Sequence, residues 1–201
     1  MHSRRSVILG TGAAAVGAVA FMLGLGAWRT RNRPVANASL PLSIADMRWQ
    51  LTDHRGQLVQ PADWIGRPTM VFFGFTWCPD VCPTTLSDIS VWLEELGPDA
   101  ARLTIALISV DPDRDTPEVL ADYLGNFDPR IIGLTGPADQ IALAAADFRV
   151  TYRRVPRDDG DYTMDHTAGV FLFQPDGSFA NIIDFHEDRA FAVPKIRRTL
   201  G

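Results

Sequence analysis

The stretch Thr69-Met-Val-Phe-Phe-Gly-Phe-Thr-Trp-Cys78-Pro-Asp-Val-Cys82-Pro-Thr-Thr-Leu86 constrains the fold more than any other. Met70 to Phe75 is a short apolar run rich in Phe, which predicts a buried central strand that stops at Gly74 and the turn around Pro79. Pro83 suits the first turn of a helix, where a missing N–H costs nothing. Leu86, Ile89, Ser90, Leu93 and Leu96 then recur at helical spacing, with Glu94 and Glu95 on another face. The chain therefore passes from strand to helix through a turn that carries both of its 2 cysteines.

That placement has chemical consequences. A helix N-terminus presents unpaired N–H groups and the positive end of a dipole, which favour thiolate over thiol and make such cysteines nucleophiles or metal ligands. The alternatives are a buried thiol pair or a plain disulfide, although so small a loop restricts the unfolded chain little.

The elements around this turn follow an α/β pattern. Trp49 to Val59 reads as a hairpin turning at Asp53 to Gly56, with His54 solvated in the turn. Leu103 to Val110 is a second buried strand, Val119 to Phe127 a helix, Ile131 to Leu134 a third strand and Ala138 to Phe148 a helix. Ala168 to Gln174 and Ser178 to Phe185 form a hairpin around Pro175-Asp176-Gly177, and a helix over about Glu187 to Leu200 closes the domain. Parallel crossovers with an antiparallel edge gather ligands at the strand C-termini, where the cysteine turn lies. Asp115, three residues before Glu118 and with Pro117 between, reads as a helix cap rather than a hard-metal site.

Residues Ser6 to Trp28 carry no charge, and at ~1.5 Å per residue a helix of that length covers the ~30 Å core of a bilayer. The preface Ser3-Arg4-Arg5-Ser-Val-Ile-Leu resembles a twin-arginine export signal, and Ala36-Asn37-Ala38 has the pattern of a signal-peptidase site. That site lies beyond Arg29, Arg31 and Arg33, which favours an uncleaved anchor. The same arginines pull the topology inward, against export. Gly10-Thr-Gly12 is a stripe of small residues in this segment and not a dinucleotide fingerprint, because the acidic residue such a site needs does not come before Asp46. The expected organisation is an anchor or signal over 1–33, a tether over 34–44 and one domain over 45–201. All 24 acidic residues fall after residue 33, so the domain is strongly acidic and nucleic acid is excluded as a partner.

Asp165-His166-Thr167 precedes the hairpin. A lone histidine entering a strand is usually a packed or surface residue, and its neighbours in sequence do not mark it as a ligand.

Taken together, Gly74-Phe-Thr-Trp-Cys-Pro-Asp-Val-Cys-Pro, then Ser109-Val-Asp-Pro-Asp-Arg-Asp-Thr-Pro, then Asp165-His166-Thr167 and Pro175-Asp-Gly177 resemble the SCO/SenC family of copper-delivery proteins for cytochrome c oxidase. The resemblance implies a thioredoxin-like fold behind a single transmembrane helix, in the bacterial inner membrane with the soluble domain in the periplasm. It implies copper held by Cys78, Cys82 and His166. The implied partners are the copper-bearing oxidase subunit and a periplasmic copper donor or thiol reductant. Two thiolates and an imidazole are soft to borderline donors that suit Cu(I), with Cu(II) as a second state. Asp80 and Asp165 are candidates to orient the imidazole, and Met164 reads as a gap filler rather than a sulfur ligand.

Two functions compete. One is a metallochaperone loading the binuclear copper centre of the oxidase. The other is a thiol-disulfide oxidoreductase in which Cys78 and Cys82 reduce the oxidase's copper-ligand cysteines. Val81-Cys82-Pro-Thr also resembles a peroxiredoxin loop, but Pro79 stands where that family has a peroxide-binding threonine. A thioredoxin-type reductase would carry two residues between its cysteines, and here there are three.

Overall fold

The computed structural model describes residues 42–185 and 187–201. The anchor, the twin-arginine motif, the Ala36 site, most of the tether and His186 lie outside the described residues. Among the described residues no helix is long and apolar enough to cross a membrane.

Among the described residues nine strands and four α-helices follow in order: β1 (Leu51–Asp53), β2 (Leu58–Val59), β3 (Thr69–Gly74), α1 (Val81–Leu96), β4 (Thr104–Ser109), α2 (Pro117–Leu124), β5 (Ile131–Thr135), α3 (Ala138–Asp147), β6 (Tyr152–Pro156), β7 (Tyr162–His166), β8 (Val170–Phe173), β9 (Phe179–Ile183) and α4 (Arg189–Thr199). Seven strands make one mixed sheet in the order β2-β1-β5-β4-β3-β8-β9, and β6 with β7 forms a separate ribbon. β3, β4 and β5 run parallel, with α1 and α2 as the crossovers. β8 returns antiparallel beside β3.

All six residues of β3 and all four of β8 are buried, so the middle of the sheet is covered on both faces. Phe148 joins Phe73, Phe171 and Phe173 at ring separations of 5.3, 5.9 and 5.6 Å, with Trp49 at 6.4 Å. α1 packs on α4, α4 on β8 and β9, and α2 on β5.

The register explains why distant residues meet. Phe72 near the end of β3 is paired with Val170 at the start of β8, so the residues just before β8 lie beside the residues just after β3. Gly74 pairs with Ser109, which brings the loop after β4 to the same place. Three loops, carrying Cys78, Asp111 to Thr116 and His166 to Gly169, therefore share one end of the sheet.

Two expectations are corrected. The α2 cap is Thr116, whose hydroxyl oxygen accepts from the Val119 N–H at 3.3 Å, while Asp115 points inward and is buried. His54 is not simply solvated: its Nδ1 accepts from the Gly133 N–H at 2.9 Å and its backbone N–H donates to the Gly133 carbonyl at 2.8 Å, capping an otherwise open stretch of β5.

Candidate metal centre

β3 ends at Gly74 because the chain must leave the sheet close to α1. A Cβ at Gly74 would stand 3.1 Å from Cys82 Sγ, 3.1 Å from Leu107 and 3.0 Å from Phe72, so glycine there lets the buried sulfur lie against the strand. α1 begins at Val81, with Pro83 in its first turn. The Cys82 N–H, free at this helix start, donates to Cys78 Sγ at 3.3 Å. Both cysteines are unpaired thiols, Cys82 fully buried and Cys78 partly exposed.

His166 ends β7, and its Nε2 stands 3.6 Å from Cys82 Sγ. Its Nδ1 lies 2.9 Å from the Thr167 carbonyl oxygen. A carbonyl only accepts, so Nδ1 carries the proton and the Nε2 lone pair faces the sulfur, the tautomer a ligand needs. The rings of Phe75 and Phe72 meet the imidazole edge-on at 5.9 and 6.4 Å and wall that side of the site.

The two thiols are electrostatically unequal. Cys78 is pulled down to about 4, first by the hydrogen bond from the Cys82 thiol, with further help from the Asp80 and Cys82 amides, against burial. Cys82 is pushed far up by the same hydrogen bond, then by burial and by the charge on Cys78. At neutral pH the pair is one thiolate and one thiol sharing a proton.

This geometry fits a first-row ion. Bonds of about 2.3 Å to sulfur and about 2.0 Å to nitrogen, at an angle between tetrahedral and trigonal, separate the two donors by roughly 3.6 Å. Among the described residues no three His, Cys, Asp or Glu side chains already converge on one point. Of the two sulfur residues Cys78 is the more exposed.

The expected orienting carboxylates are placed elsewhere. Asp80 accepts from the Thr84 hydroxyl at 3.5 Å, and Asp165 pairs with Arg153 at 2.8 Å on the exposed side of the ribbon. The Thr167 carbonyl does the orienting instead. Met164 packs against the core. Sequence reasoning missed a different carboxylate: Asp115 accepts from the Ser109 hydroxyl at 2.5 Å, the Thr76 hydroxyl at 2.6 Å and the Thr76 N–H at 3.1 Å. It ties the cysteine loop to the end of β4 two residues before Cys78, although burial raises its pKa and opposes its charge.

The SCO1/SenC family model matches residues 38–201. The mouse protein SCO2 homolog, mitochondrial, is 36% identical over 177 residues, covering 87% of this chain and 69% of the relative. ScoI of Bradyrhizobium japonicum, solved with copper bound, superposes with a TM-score of 0.70 at 44% identity over 75% of this chain and 96% of that one. Yeast Sco1, also solved with copper bound, gives 0.69 at 33% identity over 75% of this chain and 84% of that one. The chain belongs to the SCO1/SenC family.

Proposed function

We propose that this protein carries one copper ion on Cys78, Cys82 and His166 and delivers it to the binuclear copper centre of cytochrome c oxidase, from a thioredoxin-like domain tethered to the bacterial inner membrane by the N-terminal segment and exposed to the periplasm. The observation that carries the reading is the 3.6 Å approach of His166 Nε2 to Cys82 Sγ, across 84 residues of sequence. Family relatives solved with copper bound support it.

Two sulfurs and one imidazole leave a copper ion coordinatively unsaturated. An incoming thiolate or imidazole from the acceptor subunit can add before a donor leaves, so handing on needs no energy source. The partners are that subunit and a copper donor in the same compartment. Nucleic acid is not among them, given the acidic domain.

The test is anaerobic titration of the reduced protein with Cu(I) under competition by a strong chelator. Wild type should hold one equivalent, His166→Ala should bind at least about tenfold more weakly, and Cys78→Ser or Cys82→Ser should lose tight binding. A serine variant that keeps its equivalent would place the site elsewhere.

A second reading has its own observation. A partly exposed thiolate at Cys78 beside a buried thiol at Cys82 is an attacking and resolving pair. Cys78 would attack a disulfide of the oxidase subunit, Cys82 would release it, and the two electrons lost in forming the Cys78–Cys82 disulfide would leave the partner as a dithiol. Exchange unaffected by His166→Ala, with unchanged copper affinity, would favour this reading.

A further inference from the structure

We propose that Arg114 is a positioning residue for His166, fastening the β6–β7 ribbon to the loop after β4 and so fixing how firmly the imidazole stands over the sulfurs. This rests on the copper reading above.

The ribbon needs such a fastener because its ladder is entirely internal: Tyr152 pairs with His166 and Pro156 with Tyr162, and neither strand joins the seven-stranded sheet. Side chains must hold it down: Tyr152 and Met164 pack on the core, and Arg114 reaches Asp161 and Tyr162. Its Nε donates to Asp111 Oδ2 at 2.5 Å, and its Nη1 donates to the Tyr162 carbonyl at 3.1 Å and to Asp161 at 3.4 Å. Its guanidinium carbon lies 3.7 Å from the centre of the Tyr162 ring. The Tyr162 hydroxyl in turn donates to the other oxygen of Asp111 at 2.8 Å. Asp111 is 1% exposed and anchored in the body of the domain, its N–H donating to Ser109. A second guanidinium, that of Arg154, stands 3.9 Å from the same ring and pairs with Asp113.

Arg114 also reaches the cysteine loop, 5.5 Å from the ring of Trp77, the residue before Cys78. One side chain thus touches the loop after β4, the cysteine loop and the start of β7. Tyr162, Met164 and His166 share a face of β7, so drawing Tyr162 onto Asp111 turns that face, and the imidazole at its far end, toward the cysteines. Charge-assisted forks and a guanidinium on an aromatic ring are strong enough to hold a ribbon yet can open without unravelling a sheet. Nη2 of Arg114 is buried without a partner, so the clamp is not saturated.

The experiment is a double-mutant cycle on the full chain, read by Cu(I) competition and by hydrogen exchange of the metal-free protein. Arg114→Ala should weaken copper by about tenfold or more and should add nothing in a His166→Ala background, because it acts through that ring. Arg114→Lys should recover part of the loss, and Tyr162→Phe, which keeps the ring and loses only the Asp111 bond, should weaken copper about threefold. Without metal, amides of β6 and β7 should exchange faster in Arg114→Ala while those of β3 and β4 stay as in wild type. Unchanged affinity and exchange in Arg114→Ala, or an equal loss with His166 already removed, overturns the proposal. If His166→Ala itself leaves copper binding intact, the copper reading fails, and the exchange experiment alone decides whether the clamp exists. Should Arg114→Ala not fold, Tyr162→Phe carries both measurements.

Discussion

Two cysteines of one chemistry become two different groups by position alone. The thiolate at Cys78 is held first by the Cys82 thiol and faces partly outward, whereas Cys82 is fully buried against Gly74. A short pulse of iodoacetamide at pH 6, followed by peptide mass spectrometry, should therefore label Cys78 almost alone; labelling of Cys82 first would reverse the assignment. The same inequality sets the pH dependence of loading. Between the lowered pKa of Cys78 and the raised one of Cys82, copper binding through both sulfurs displaces one proton, that of Cys82. Between pH 7 and 9, Cu(I) affinity should rise about tenfold per pH unit. Competition titrations across that range check it, and a flat profile would mean that Cys82 does not give up its proton to the metal.

At the scale of elements, small polar residues hold the loops that the strands deliver. Asp115 accepts three hydrogen bonds while buried, and its raised pKa means that its charge costs stability as pH rises through that value, so its use is to place Thr76 and the cysteine loop. Asp115→Ala leaves buried donors without an acceptor and should lower stability by about 2 kcal/mol in urea unfolding. His54 acts oppositely. Burial and Arg55 lower its pKa, so the fold prefers neutral imidazole, and its contribution is present above the unfolded value of about 6.5 and fades as pH falls through the lower folded one. A His54→Gln variant should show a shallower loss of thermal stability between pH 7 and 5 than wild type. The strands from β1 to β5, the β8–β9 hairpin and all four helices are legible in apolar runs and helical spacing, since burial is what places them. β6 and β7 are not: their residues are mostly charged or half-exposed and give no alternating pattern, and polar contacts seat them together with the packing of Tyr152 and Met164. Asp159-Gly160, with Gly160 at φ +85°, is the turn signal that could have found this ribbon. His166 entered through family resemblance, and the roles of Arg114 and Asp115 depend on contacts between loops that local sequence does not encode.

On the scale of the whole domain, β3 divides structure from chemistry. Phe73 on one face stacks into the aromatic cluster around Phe148. On the other face Phe72 meets the His166 ring edge-on and Gly74 lies against Cys82. Alternation along one strand thus assigns the core and the site to opposite sides of the sheet. Phe148→Ala opens a cavity in the core side and should cost about 3–5 kcal/mol, a fall in thermal midpoint of roughly 10 °C for a domain of this size. Because the cavity lies across the strand from the sulfurs, Cu(I) affinity at 25 °C, where the variant remains folded, should stay within about twofold of wild type, as expected of sites that share no partners. Paired thermal melts and copper competition on the one variant give both numbers. A loss of copper affinity as large as that of His166→Ala, with the fold intact by circular dichroism, would mean that the aromatic core transmits to the site and that β3 does not separate them.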